Sequence, residues 1–417
     1  MHPLTLTFLI AVLGSVGLRL WLSQRQMSAV RAHRDRVPEP FRDAISAEDH
    51  RKAADYTVAH GRLNVIDTVL DGAVLLVLTL GGGIAAVDAL WRSAGLDGPW
   101  LGVLVILSVM LLTTLVSLPL AAWRTFVVEA RFGFNRTTPA LFALDLLKSL
   151  LLGAALGAPL LYVILWTMWY TGESWWLYAW GIWLAFTLLV TWAWPVFIAP
   201  LFNRFSPLED EALRQRIEHL LERCGFTSRG VFVVDGSRRS THGNAYFTGL
   251  GRHKRIVFYD TLLERLGHGE VEAVLAHELG HLRLHHIRQR LIVMSFASLG
   301  GLALLGWLAA QPAFYAALGI ESPSPHAALL LFLLVVPVFT YFLTPLAAWW
   351  SRRHEFEADA FAASHASAAS LADALVSLYR DNATTLTPDR VHSAFYDSHP
   401  PALVRIARLK SLAGSGG

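Results

Sequence analysis

Seven runs of about 20 apolar residues punctuate the chain, and they limit what it can fold into more than any other feature. They span Leu4–Leu22, Val69–Leu90, Leu101–Ala122, Leu146–Trp169, Trp175–Phe197, Leu291–Ala310 and Ala327–Trp350. A helix of that length matches the hydrocarbon thickness of a bilayer. Composition agrees: of 417 residues, 54% are hydrophobic and only 16% charged, where a soluble domain carries roughly 25%. A disordered chain is excluded, and an ordinary soluble enzyme is disfavoured. The first run sits where a secretory signal would. It lacks a basic region before the apolar stretch and a small-x-small cleavage site, so it reads as a retained anchor.

Basic residues alternate between the segments that join the runs. Arg25, Arg31, Arg34, Arg36 and Arg42 follow the first run, and Arg124, Arg131 and Arg136 follow the third. The polar segment after the fifth run and the tail after the seventh are also Arg-rich, whereas Tyr170–Ser174 and Gln311–His326 hold no Lys or Arg. The positive-inside rule then puts the N-terminus outside and both large polar segments in the cytoplasm. The net charge of +3 forms no compact basic patch with interleaved aromatics, so no nucleic-acid partner is expected. Asp71 and Asp88 lie within runs, and a charge at that depth should face protein or a water-filled cavity. Asp145 and Lys148 are three apart and can pair on one helix face. The single cysteine, Cys224, excludes an intramolecular disulfide and a multi-Cys metal site; it reads as a small buried residue.

The polar stretch 203–290 reads as a small α/β domain. Leu208–Cys224 has helical periodicity, Gly230–Asp235 and Arg255–Tyr259 read as strands, and Gly269–His286 reads as a helix. That last helix carries His277-Glu278-Leu279-Gly280-His281. Positions four apart share a helix face, so His277 and His281 can ligate one ion. Zinc in such a site brings the pKa of a coordinated water toward ~7. Glu278, beside the first ligand, can take that water's proton and pass it to a leaving amine. The alternative is a chance match on a surface helix. Against it, the apolar run Val271–Ala276 points to a buried helix, where idle His and Glu are costly. Gly280 is a poor helix former, so a close approach is expected there.

Catalytic zinc keeps three protein ligands and one open position. The pattern with a third His six residues on fails, because position 287 is Ile. His285 is one helical turn beyond His281, and one straight helix does not easily wrap three such residues around an ion. The better third ligand is Glu355, in His354-Glu355-Phe356-Glu357-Ala358-Asp359. Asp359 shares its face and can accept a hydrogen bond from the free ring nitrogen of a ligand His; Glu357 points elsewhere. The alternative for this segment is a charged helix cap at the membrane surface, anchored by Arg352 and Arg353.

With these residues in place, the sequence resembles the integral-membrane zinc CAAX prenyl endopeptidases, the type that also processes the yeast a-factor precursor. The resemblance covers most of the chain. It rests on Phe126–Glu129 with Gly133–Asn135, Ala199–Phe205, Asn244–Phe247, Tyr259–Leu263, His277–His281, Glu355–Asp359 and Ser398-His399-Pro400-Pro401, in that order. It implies His277, His281 and Glu355 as ligands of one zinc per chain, Glu278 as the base and Asp359 behind the ligands. It also implies His399 as a stabiliser of the oxyanion, against the bland reading of a solvated His before a Pro-Pro turn. Asn244, Ala245 and Tyr246 would belong to an edge strand that pairs with an extended substrate, rather than to an ordinary strand turning at Gly249. Arg405 is a candidate salt-bridge partner for the site.

The implied fold is a mainly α membrane protein. Seven transmembrane helices surround an intramembrane chamber, with a small α/β zinc metalloprotease domain. Its parts are a five-span membrane portion (1–200), a cytoplasmic metalloprotease domain (201–290), two further spans (291–350) and a C-terminal catalytic segment (351–417). The implied reaction removes the last three residues after a prenylated cysteine. The Arg-heavy, Lys-poor composition looks bacterial, which places the chain in an inner membrane with its catalytic domain cytoplasmic. Its partners are then the lipid bilayer and a peptide or protein substrate, prenylated or not. A rival reading is a quality-control metalloprotease of membrane proteins that needs no prenyl group. A transporter with a structural zinc is disfavoured, because a structural site has no use for an unligated Glu278.

Overall fold

The computed structural model describes residues 2–227, 230–248 and 255–414; Gly249 and the Ser415–Gly417 end lie outside them. The chain is mainly helical, and long apolar helices dominate. The first half comprises α1 (Pro3–Ala32), α2 (Ala47–Leu78), α3 (Gly83–Ser93), α4 (Gly98–Trp123), α5 (Pro139–Tyr170), α6 (Trp175–Ala193) and the single turn α7 (Ala199–Phe202). Among the described residues, six helices are long and apolar enough to cross a membrane, and counting the bent pair α2–α3 as one span brings the number to seven. Large side chains on these spans stay uncovered, among them Leu151, Leu189 and Phe296. Exposed apolar surface on that scale belongs against lipid.

The second apolar run is not one straight helix. α2 ends at Leu78, α3 starts at Gly83, and the two are bent by 51°. The cause is local: Gly81-Gly82-Gly83 interrupts the run, and Gly82 takes φ 77°, which a side chain resists. The Asp145–Lys148 pairing expected from spacing does not form. Asp145 instead accepts two hydrogen bonds from Arg239, at 2.8 and 3.0 Å, while Lys148 donates to the Leu201 carbonyl at 2.8 Å. A guanidinium fork fits a carboxylate better than a point ammonium, and here it reaches across from the catalytic half. Asp71 faces a cavity of about 500 Å³ between the spans, which Arg19, Asn64, Tyr341 and Tyr396 also line.

The second half begins with β1 (Phe205–Pro207), α8 (Glu211–Arg223), β2 (Val231–Val234), β3 (Ala245–Thr248), β4 (Arg255–Tyr259) and the turn α9 (Asp260–Leu263). The four strands form one sheet in the order β1-β2-β4-β3, with β2 parallel to β4 and the outer pairs antiparallel. β3 is therefore an edge. α10 (His268–Arg283) lies against the sheet and buries Val271, Val274, Leu275 and Leu279 in one core with Ile217, Leu220, Ile256 and Phe258. Cys224 is buried in the same core. The chain returns to the membrane in α11 (His286–Ala309), turns through α12 (Pro312–Ala317), and crosses again in α13 (Pro325–Thr340) and α14 (Thr344–His365). α15 (Ala368–Asp381), α16 (Arg390–Tyr396) and α17 (Ala402–Gly414) then fold back over α10 and α14.

Candidate active site

The site forms where α10 crosses α14, and Gly280 makes the crossing close. A Cβ on Gly280 would stand 2.9 Å from Ala358 Cα and 3.1 Å from Phe361 Cβ. The approach brings one face of each helix together. His277 Nε2 and His281 Nε2 lie 3.3 Å apart. Glu355 Oε2 is 3.5 Å from the first, and Glu355 Oε1 is 3.3 Å from the second. Bonds of about 2.0–2.1 Å to a tetrahedral ion set ligand atoms roughly 3.4 Å apart, so this triangle has the dimensions of a three-ligand metal site. Glu355 Oε2 is buried and makes no hydrogen bond among the described residues, although Arg405 Nη1 stands 3.6 Å from it, so its lone pairs remain available to a metal ion.

Behind the triangle, His277 Nδ1 lies 2.9 Å from Asp359 Oδ1. Arg405, on α17, donates to both oxygens of Asp359, from Nε at 2.8 Å and from Nη2 at 2.7 Å. His277, Glu355, Asp359 and Arg405 are all buried. A charge-assisted fork at that depth holds Asp359 in one orientation, and Asp359 in turn orients the His277 ring.

Glu278 occupies the same turn of α10 and accepts no hydrogen bond among the described residues. Burial pushes its carboxyl above the usual carboxylate range, while the neighbouring His277 and His281 oppose that rise. His399 follows α16, with Nε2 3.5 Å from Glu355 Oε2, and its side chain is 62% exposed. Asn244 stands just before the edge strand, which Ala245 opens. Asn244 contributes its carbonyl to Tyr259 N–H at 2.9 Å, and its side-chain oxygen accepts from Ala245 N–H at 2.8 Å. Tyr246 pairs across the sheet with Val257, and its ring lies edge-on to Tyr259. The outer edge of β3 pairs with no other strand among the described residues.

Sequence reasoning ran α10 on to His286 in one helix. It ends at Arg283, because His285 adopts φ 62° and starts a new direction. His286 is thereby brought back beside His281, with the two Nδ1 atoms 2.9 Å apart, and its Nε2 lies 3.0 Å from Glu357 Oε2. Neither His286 nor Glu357 was singled out from sequence. His286 is five residues from His281 and out of phase with it on a continuous helix. The Phe126–Glu129 motif lies in a π-helical turn over Arg124–Glu129, where Glu129 accepts from Tyr56 and His60, each at 2.9 Å.

A membrane-embedded helical body joined to a two-His, one-Glu site on crossing helices defines a class: an integral-membrane metallopeptidase. Comparison with known proteins narrows it. Residues 26–204 match the family described as CAAX prenyl protease N-terminal, five membrane helices, and residues 207–413 match peptidase family M48. The CAAX prenyl protease 1 homolog of Oryza sativa is 33% identical over 90% of this chain and 90% of its own length. The CAAX prenyl protease 1 of Saccharomyces cerevisiae is 37% identical over 72% of this chain and 69% of its own. The crystal structure of S. mikatae Ste24p superposes with a TM-score of 0.90 at 29% identity, covering 98% of this chain and 99% of that one. The chain belongs to peptidase family M48, as a multi-pass membrane metalloendopeptidase of the CAAX prenyl protease kind.

Proposed function

We propose that the protein is a zinc endopeptidase with one zinc per chain, and that it removes the C-terminal tripeptide of CAAX-type substrates at the cytoplasmic face of a bacterial inner membrane. The observation that carries the reading is the 3.3–3.5 Å triangle of His277, His281 and Glu355, with Glu278 in the same turn of the helix. Two nitrogens and one carboxylate oxygen suit zinc, and three ligands leave the fourth tetrahedral position for water and substrate. The inside orientation of the catalytic half follows from the alternation of basic segments. The names of the relatives supply the substrate class.

Zinc, when bound, supplies a Lewis acid that polarises the scissile carbonyl and acidifies a water. The side chains do the rest. Glu278 takes the proton of the attacking water and delivers it to the departing amine. His399, at the exposed rim of the site, donates a hydrogen bond to the oxygen that gains charge. Asp359 and Arg405 keep the His277 ring in place. Asn244 and the free edge of β3 at Ala245 and Tyr246 pair with the substrate backbone and hold it extended for cleavage.

The experiment compares a farnesylated CAAX peptide with its unprenylated twin, using detergent-purified protein. Glu278→Gln should retain zinc and lose cleavage by at least ~10³-fold, the scale of losing the proton-transfer group. A chelator should abolish cleavage by the parent protein. Cleavage of both peptides at similar rates would keep the zinc mechanism and move the biology to general proteolysis of membrane proteins. Full activity in Glu278→Gln would overturn the mechanism.

A further inference from the structure

The break after α10 costs energy. His285 sits at φ 62°, ψ 27°, a left-handed conformation that costs a residue with a side chain roughly 1–2 kcal/mol. Glycine is the ordinary residue at such a helix end. What the turn achieves is the placement of His286. The ring is 3% exposed and stands with Nδ1 2.9 Å from His281 Nδ1 and Nε2 3.0 Å from Glu357 Oε2. Glu357 Oε1 in turn accepts from Arg353 Nε at 3.0 Å. His354 stacks flat on the His286 ring, with centroids 4.0 Å apart and planes within 4°, and Trp350 meets His354 edge-on.

Counting protons along this line gives a single consistent assignment. His281 Nε2 faces His277 Nε2 and Glu355 Oε1, so Nε2 is its metal-facing atom and Nδ1 carries the proton. Two ring nitrogens at 2.9 Å need one proton between them, so His281 Nδ1–H donates and His286 Nδ1 accepts. A neutral His286 then holds its own proton on Nε2, which donates to Glu357. We propose that His286 and Glu357 are positioning residues for the zinc ligand His281. They fix its tautomer and ring plane through two hydrogen bonds in series, as Asp359 does for His277 in one. The inference rests on the zinc reading above and extends it.

The same residues allow another interpretation. His286, His354 and Glu357 offer ligand atoms within 4.8 Å of one another, which by distance alone is a second metal site. The proton count opposes it. While His281 ligates, one nitrogen of His286 is an acceptor already in use and the other bears a proton, so no lone pair faces a second ion. The relay therefore requires one metal per chain.

The test uses full-length protein in detergent, with zinc per chain from elemental analysis and zinc affinity from competition with a chromophoric chelator. His286→Phe should weaken zinc by ~10–100-fold, the usual effect of removing such a partner. His286→Asn, whose amide oxygen falls near the place of Nδ1 but which cannot reach Glu357, should recover about half of the loss on a logarithmic scale. Glu357→Ala alters a partly exposed side chain and folds without difficulty; it should weaken zinc several-fold, by about half of the His286→Phe effect on a logarithmic scale. His354→Phe preserves the stack and should change neither affinity nor stoichiometry. Unchanged affinity in Glu357→Ala overturns the relay, and it does so even if His286→Phe fails to fold. Two zinc ions per parent chain, with one lost in His354→Phe, overturns it in favour of a second metal site. A parent protein that binds no zinc overturns the zinc reading itself and the relay with it.

Discussion

At the scale of single residues, the site is a set of carboxylates with divided tasks. Glu355 faces the ligand triangle, Asp359 the back of His277, and Glu357 the back of the ring behind His281. The Asp359–Arg405 pair is the most buried of these contacts, and its value is testable apart from the metal. Removing either partner leaves a buried charge uncompensated, at a cost of about 3–5 kcal/mol. Arg405→Leu and Asp359→Leu should therefore each lower the melting temperature of the metal-free protein. The double variant should lose clearly less than the sum, because neither charge of the pair is then left without the other. Additive losses in a thermal-shift series would show that the two do not act as a pair. His277 with His281, and Glu355 with Asp359, were legible as pairs, since each four-residue spacing puts its two residues on one helix face, and Glu278 was legible only as the neighbour of His277. His286 was not legible. Its role depends on one backbone torsion at His285, which no periodicity encodes.

At the scale of elements, the decisive contact is the crossing of α10 and α14 at Gly280. The glycine costs roughly 1 kcal/mol in helix propensity, and the structure supplies the reason, since a methyl group there would run into the backbone of Ala358. Gly280→Ala gains that propensity and loses the approach. Overpacking of this kind costs about 1–3 kcal/mol, so the net effect should be destabilising. It should also weaken zinc, because the clash pushes Glu355 away from the two histidines. Scanning calorimetry and chelator competition would measure both, and a more stable Gly280→Ala would refute the account. Strands and helices were legible wherever the apolar pattern was regular, as at Val231–Val234 and Glu211–Arg223. Pattern failed where a few residues redirect the chain. The three glycines at 81–83 split one apolar run into two helices at 51°, and the partner of Asp145 came from a distant loop rather than from its own helix.

At the scale of the whole molecule, the two halves of the site depend on different parts of the chain. His277, Glu278 and His281 belong to a helix packed on the sheet, while Glu355 and Asp359 come from a helix that rises out of the membrane. Six of the seven expected spans were legible as single helices because bilayer thickness sets the length of an apolar run, whereas the second is a pair of helices bent at its glycines. The closeness of α10 to α14 was not, because it joins residues about 80 positions apart and rests on tertiary packing. The catalytic half expressed alone should accordingly fail to hold zinc. A fragment over 204–290 retains both histidines but lacks Glu355, and equilibrium dialysis should show zinc bound at least ~10²-fold more weakly than in the full chain.

The continuity of α13 and α14 across a single short turn has a mechanical meaning. The 41 residues from Pro325 to His365 form one helical rod, interrupted only by Pro337 and the tight turn at Tyr341–Leu343, and the far end of that rod carries Glu355. Such a rod answers a change in hydrocarbon thickness by tilting. The histidines ride on α10, which is pressed against that rod at Gly280, so a tilt reaches them through the helix crossing and the two halves of the ligand triangle move together.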